Sequence, residues 1–262
     1  MNRIDTAFSN LQNEESALIA YATAGFPDKE TSLRIAQSLL QHCDLLELGI
    51  PFSDPVMDGP VIQESSRRSL QAGTKIKDVR DMVSELRAGT DKPLLVMTYY
   101  NPVHRTGHRT FAKEAARAGV DGVLIPDLPP EEMDRWREAA EAEGLSTILF
   151  ASMTTPEERL RRLGQLTQGF LYCIAVKGTT GIRDSMSGEL DEFMSKARSC
   201  SEAPLALGLG ISNPEQCRRA GEMADAVIVG SALVKAAMQA LDEGEDPAHR
   251  SGELARQLKA AL

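Results

Sequence analysis

LLELGIPFSDPVMDG, residues 45–59, opens as an apolar run interrupted by one acid, Glu47, and closes on a second, Asp58. The run breaks at Gly49 and passes Pro51 and Pro55, the pattern of a buried strand that empties into a loop. An acid inside a buried strand is costly unless it has a partner or a job. Asp58 sits on the loop leaving the carboxyl end of that strand. Two carboxyls brought to one strand end can be given different pKa values and divide acid and base work. Taken singly each has an ordinary alternative, since a strand-end Glu is often half of an ion pair and Asp-Gly is a turn signal. The pair gains weight only if a pocket opens at that end.

The same pattern repeats on either side. Residues 17–22 form an apolar run stopped by Gly25 and Pro27, and further runs lie at 93–97, 122–125, 146–150, 170–175, 205–207 and 226–229. Helical patterns fill the intervals. At 29–41, Leu33, Ala36 and Leu40 recur at three- and four-residue steps. Residues 61–72 follow Pro60 at a helix start, 76–86 form another helix, and 109–118 end at Gly119. Further helices are predicted over 131–143, 156–163 with Thr155 as N-cap, 190–199, 214–220 capped by Ser212 or Asn213, 232–241 and 247–261. Apolar strands without polar alternation, each followed by a helix, predict a parallel sheet covered by helices. Eight such units predict an α/β fold, a (β/α)8 TIM barrel in one domain over 1–262, with an N-terminal helix at 4–11 and an extra short helix before the last. An open doubly wound sheet is the runner-up. It calls for GxGxxG after the first strand, where this chain has Thr23-Ala24-Gly25-Phe26-Pro27. In a barrel the chemistry sits where strands end in loops, the end to which Glu47 and Asp58 belong.

Composition is that of a globular protein able to fill a core, 42% hydrophobic and 26% charged over 262 residues. The formal net charge of −9 argues against binding nucleic acid or an anionic membrane. The four cysteines, Cys43, Cys173, Cys200 and Cys217, show no CxxC pairing and no nearby His at metal-ligand spacing. They read as reduced thiols of a cytoplasmic protein, with Cys43 and Cys173 buried and no metal. No apolar signal core opens the chain, and no run approaches membrane-spanning length.

An anionic substrate would therefore need a local site. Three Gly-bearing loops fall late in the chain, at 177–181, 208–212 and 230–231. Glycine lets main-chain N–H groups approach a ligand, and a helix start offers unpaired donors and a positive dipole end. Any one loop reads as a plain strand-to-helix turn. Gly210, Gly230 and Ser231 together read as a phosphate site, because barrels commonly dock phosphate after strands seven and eight beside an extra helix.

The residues 45–60, LELGIPFSDPVMDGP within them, with 21–27, 99–101, 126–129, 178–181, 206–216 and 228–235, resemble the tryptophan synthase alpha-subunit family over nearly the whole chain. The resemblance implies a (β/α)8 barrel that cleaves indole-3-glycerol phosphate to indole and glyceraldehyde 3-phosphate, with no metal or organic cofactor of its own. It implies a beta-subunit partner in an α2β2 assembly, which carries pyridoxal phosphate and receives the indole. By the same resemblance Glu47 is the general acid/base, and Asp58 holds the ring N–H and stabilises positive charge on the ring. Tyr172 lies near the glycerol hydroxyls, and Thr180 closes onto Asp58. Gly181, Gly210, Gly230 and Ser231 take the phosphate, while Tyr21, Ile62, Met97, Leu124 and Leu209 wall the ring pocket. As bare sequence those five read as barrel core. Burial is expected to raise the pKa of Glu47.

Departures from the family pattern fall at Tyr21 and Leu209, where Phe is usual, and at residues 175–181 after strand six, where a serine and a basic position are lost and Lys177 is new. Pro51, Ser53, Asp54 and Pro55, on the partner-facing loop, are intact. His104 and His108 read as surface residues. Two alternatives follow. One is a stand-alone lyase releasing free indole, which the departures favour. The other is an inactive barrel that only binds a phosphate ester, against which Glu47, Asp58 and Thr180 speak.

Overall fold

The computed structural model describes residues 2–11, 15–175, 184–208 and 210–262, with the backbone alone over 184–187. Eight parallel strands close on themselves in chain order: β1 Ala17–Thr23, β2 Leu45–Gly49, β3 Leu94–Met97, β4 Gly122–Leu124, β5 Ser146–Ser152, β6 Leu171–Ile174, β7 Leu205–Gly208 and β8 Ala226–Val229. Around them run α1 Arg3–Ser9, α2 Lys29–Leu40, α3 Pro60–Gln71, α4 Ile76–Arg87, α5 Tyr100–Thr106, α6 His108–Ala118, α7 Asp134–Ala142, α8 Glu157–Leu166, α9 Asp184–Cys200, α10 Pro214–Gly221, α11 Ser231–Glu243 and α12 Pro247–Lys259. The (β/α)8 barrel is the observed fold, and the eight expected strands are its eight strands.

The helix ends follow local chemistry. Asp28 caps α2 by accepting from Thr31 N at 2.8 Å, and Asn213, not Ser212, caps α10 by accepting from Gln216 N at 2.9 Å, with Pro214 in its first turn. The N-cap of α8 is Pro156 rather than Thr155. Thr155 Oγ1 instead accepts from Ser152 N at 2.9 Å and tightens the preceding turn. The extra helix α11 is not short, since its 13 residues equal those of α12. Helix α5 has no counterpart in the sequence reading.

Strand period two sorts the side chains into two cores. Leu46 and Leu48 point outward to the helices, with Leu18, Ala20 and Val96. Leu45 points inward, with Ile19, Leu95, Leu124, Ile148, Phe170, Ala206 and Ile228. Glu47, two residues beyond Leu45, must face the same interior one layer higher, level with Tyr21 in the register of β1 and β2. Leu124 belongs to the lower layer and is fully buried there, so it is core and not pocket wall.

Helix α1 plugs the lower end of the barrel. Ile4 is fully buried in the inner core, and Phe8 meets Phe170 at 6.0 Å between ring centroids. Asp121 ties that floor together: its carboxylate accepts from Arg3 at 3.0 Å, Arg87 at 2.5 Å and Leu94 N at 2.8 Å. Removing it takes the counter-charge from the largely buried Arg87 guanidinium, which keeps only carbonyl acceptors, and leaves the Leu94 N–H without this acceptor. Asp121→Ala is therefore expected to lower unfolding stability by roughly 2–4 kcal/mol, measured by urea denaturation. A change below about 0.5 kcal/mol would show that the floor does not depend on it.

Candidate active site

A cavity of about 250 Å³ opens at the carboxyl ends of the strands. Its base is formed by Tyr21 from β1, Glu47 from β2, Met97 from β3, Phe150 from β5, Tyr172 from β6, Gly208 from β7 and Ile228 from β8. Asp58 and Ile62 enter from the loop after β2 and from α3, and Gly210, Gly230 and Ser231 from the other side. One concavity thus gathers Glu47, Asp58, Tyr21, Ile62, Tyr172, Gly210, Gly230 and Ser231. Thr180, Gly181 and Leu209 lie outside the described residues.

Glu47 is 1% exposed, and among the described residues its Oε2 has no hydrogen-bond partner. Burial first, and the charge of Asp58 second, raise its pKa from 4.5 to about 8. Asp58 is less enclosed. Burial raises its pKa to about 6, against a hydrogen bond from the Tyr99 hydroxyl that favours the carboxylate. Near neutral pH the first carboxyl holds its proton and the second has lost it, so environment alone separates a proton donor from a fixed negative charge. The buried Tyr172 phenol is held well above its ordinary pKa, by burial first and Glu47 second, so it stays a neutral hydroxyl.

Tyr99 was not singled out from sequence as a site residue. Its hydroxyl accepts from Met57 N at 3.0 Å and its ring stacks on Phe52 at 5.0 Å, so it holds the loop that carries Asp58. Phe150, 4.8 Å from Tyr172 between ring centroids, was also missed. The signal was there, because Phe150 is two residues beyond the inward-facing Ile148 on the same strand.

At the opposite wall α11 begins with Gly230 as its N-cap and no side-chain cap bond. Its first N–H groups are left for a ligand, and the helix dipole favours an anion there. Gly210 has φ of +63° and nothing within 4 Å of where a Cβ would stand, so its main chain borders open space. Among the described residues no arginine or lysine lines the cavity. Among the described residues, the start of α11 and the Gly210 main chain stand across the cavity from the two carboxyls. Among the described residues no group of three or more His, Cys, Asp or Glu side chains could hold a metal ion, and no helix is long and apolar enough to cross a membrane.

The family model for the tryptophan synthase alpha chain matches residues 8–262. The tryptophan synthase alpha chain of Geotalea uraniireducens is 43% identical over 264 aligned positions, covering 100% of this chain and 98% of that one. The crystal structure of tryptophan synthase subunit alpha from Legionella pneumophila superposes with a TM-score of 0.92 at 36% identity, over 100% of this chain and 98% of that one. A chain of tryptophan synthase from M. tuberculosis superposes with a TM-score of 0.89 at 32% identity, over 100% and 99%.

Because the native fold holds Glu47 protonated where the unfolded chain would not, the protein binds the extra proton when folded. Stability should then fall as pH rises from about 4.5 to about 8, and level off above. Glu47→Gln is expected to flatten that slope and to be the more stable form at pH 9, by roughly 2–4 kcal/mol. Denaturant midpoints across pH measure it. Parallel curves for the two proteins would mean that Glu47 carries no raised pKa.

Proposed function

Since the chain belongs to the tryptophan synthase alpha chain family, we propose that its cavity performs the alpha-subunit lyase reaction with Glu47 and Asp58 as the working carboxyls. The substrate is indole-3-glycerol phosphate and the products are indole and glyceraldehyde 3-phosphate. The observation that carries this assignment is a wholly buried, half-unpartnered carboxyl, Glu47, beside the ionised Asp58 in one cavity.

Protonated Glu47 gives its proton to the ring carbon that bears the glycerol chain. The ring becomes an indoleninium cation, and Asp58 stabilises the charge at the ring nitrogen. Glu47, now a carboxylate, removes the proton of the adjacent chain hydroxyl. That oxygen forms the aldehyde carbonyl, the carbon–carbon bond breaks, and its electron pair restores the aromatic ring. The proton taken up equals the proton given, so Glu47 is regenerated within one turnover. A pKa of about 8 leaves both protonation states within easy reach. Tyr172 donates to the glycerol portion as a neutral hydroxyl. Gly210, Gly230 and Ser231, with Gly181, bind the phosphate through main-chain N–H groups and the start of α11. Thr180 closes onto Asp58. Tyr21, Ile62, Met97, Phe150 and Leu209 wall the ring.

The chemistry needs no cofactor, and pyridoxal phosphate belongs to a beta subunit that receives the indole in an α2β2 assembly. Met57, 60% exposed, lines the cavity, and its neighbour Val56 is 78% exposed, both on the loop of Pro51, Ser53, Asp54 and Pro55. Large apolar side chains left in water beside a site suit a partner surface. The full-length likeness to alpha chains favours a subunit over a stand-alone lyase.

Turnover of indole-3-glycerol phosphate should fall at least about 100-fold in Glu47→Gln; undiminished turnover would refute the assigned acid. The pH dependence of kcat/KM should rise through about 6 as Asp58 ionises and fall through about 8 as Glu47 loses its proton. In Asp58→Asn the basic limb should move down, since the Asp58 charge helps raise Glu47. A beta subunit should increase turnover, and high turnover of the chain alone, unchanged by a partner, would favour the stand-alone lyase.

A further inference from the structure

Tyr21 presents its ring to the cavity and points its hydroxyl elsewhere. The ring spans from Gly230, where an added Cβ would lie 3.4 Å from Tyr21 Cβ, to Gly49, where one would fall 2.0 Å from the phenol oxygen. Gly49 is thus the space that the hydroxyl fills, and neither Gly49 nor Thr23 lines the cavity.

Below the hydroxyl runs a chain of buried hydroxyls whose direction is fixed. Ser65 Oγ donates to the Ile62 carbonyl at 2.9 Å. Having one proton, it must accept from Thr23 Oγ1 at 2.6 Å. Thr23, its proton so used, must accept from Tyr21 Oη at 3.4 Å. The phenol therefore donates into a relay that ends on the main chain of α3. Burial, and next the charge of Asp58, keep that phenol proton in place at any ordinary pH. Ile62, whose carbonyl ends the relay, and Val234 of α11 pack with the Tyr21 ring in one small apolar cluster. The ring is pinned at both ends.

We infer that the Tyr21 hydroxyl sets the clearance of the aromatic subsite: tethered through Thr23 and Ser65, it holds one wall at a fixed depth and selects a bare indole ring over rings bearing an added methyl on the edge that meets Tyr21. This deepens the lyase reading and rests on it for the identity of the ring. A rigid apolar wall rejects one extra methyl by about 10- to 200-fold. Without the phenol oxygen, the ring gains the void over Gly49 and can withdraw from the cavity.

Calorimetry of the full chain with indole and with each benzo-ring methylindole, in the presence of glycerol phosphate, reads this directly. The parent should bind at least one methylindole about tenfold more weakly than indole. Tyr21→Phe should reduce that ratio by about three- to tenfold, and Thr23→Val should move it the same way. Thr23→Ser, which keeps the hydroxyl, should retain the parent's ratio, and Tyr21→Phe with Thr23→Val should relax it no further than Tyr21→Phe alone. Ratios within about twofold of the parent in Tyr21→Phe, or a parent indifferent to ring methylation, would overturn the inference. Loss of melting temperature with unchanged ratios would reduce the relay to a structural role and overturn it as well. Cleavage of indole-3-glycerol phosphate is assayed separately; a parent that binds and discriminates indoles but cleaves nothing would count against the lyase reading and leave this one standing.

Discussion

A carboxyl group inside a closed ring of eight strands is the constraint around which this protein is built. Glu47 is almost fully buried, and among the described residues its Oε2 has no hydrogen-bond partner. A charge there would be severely desolvated, so the group answers by holding its proton. The upper interior layer is arranged to make that tolerable and useful. Apolar or aromatic neighbours raise the pKa, and the two neighbouring tyrosines, Tyr21 and Tyr172, stay neutral. Asp58, nearer the rim, keeps its charge because it retains more solvent and the Tyr99 hydroxyl. The gradient in burial from barrel centre to rim becomes a gradient in proton affinity.

The far wall solves the opposite problem. This chain carries a net charge of −9, and the substrate proposed for it is an anion. A lysine or arginine beside Glu47 would stabilise its ionised form and lower the raised pKa. Main-chain N–H groups at the start of α11 offer partial positive charge confined to the first turn of the helix. The choice of glycine and serine at 210, 230 and 231 is thus compatible with the carboxyl chemistry across the cavity.

Much of this was legible in the sequence because strands and pockets share one periodicity. A run of apolar residues with a single acid two steps beyond an inward Leu places that acid in the barrel interior, and eight repeats fix the closure. The same arithmetic, applied to β5, would have found Phe150. Met97 and Leu124 could not be separated from sequence, since both face inward and pair in the β3–β4 register, and only packing leaves Met97 on the cavity and Leu124 fully buried. Helix α5 escaped because it buries one side chain, Val103, and so has no apolar stripe to read. Tyr99 escaped because its role depends on contacts with Met57, Asp58 and Phe52, some forty positions away in the chain. The cap of α8 was misread because a threonine beside a proline can serve either the helix or the turn before it.

The plug formed by α1 bears on how the chain comes off the ribosome. Arg3 waits for Asp121, and Phe8 for Phe170. Strand β1 finds one of its two neighbours only when β8 emerges. These segments are therefore made well before the partners that complete their packing. For most of translation their apolar side chains must be sheltered by something other than their native neighbours.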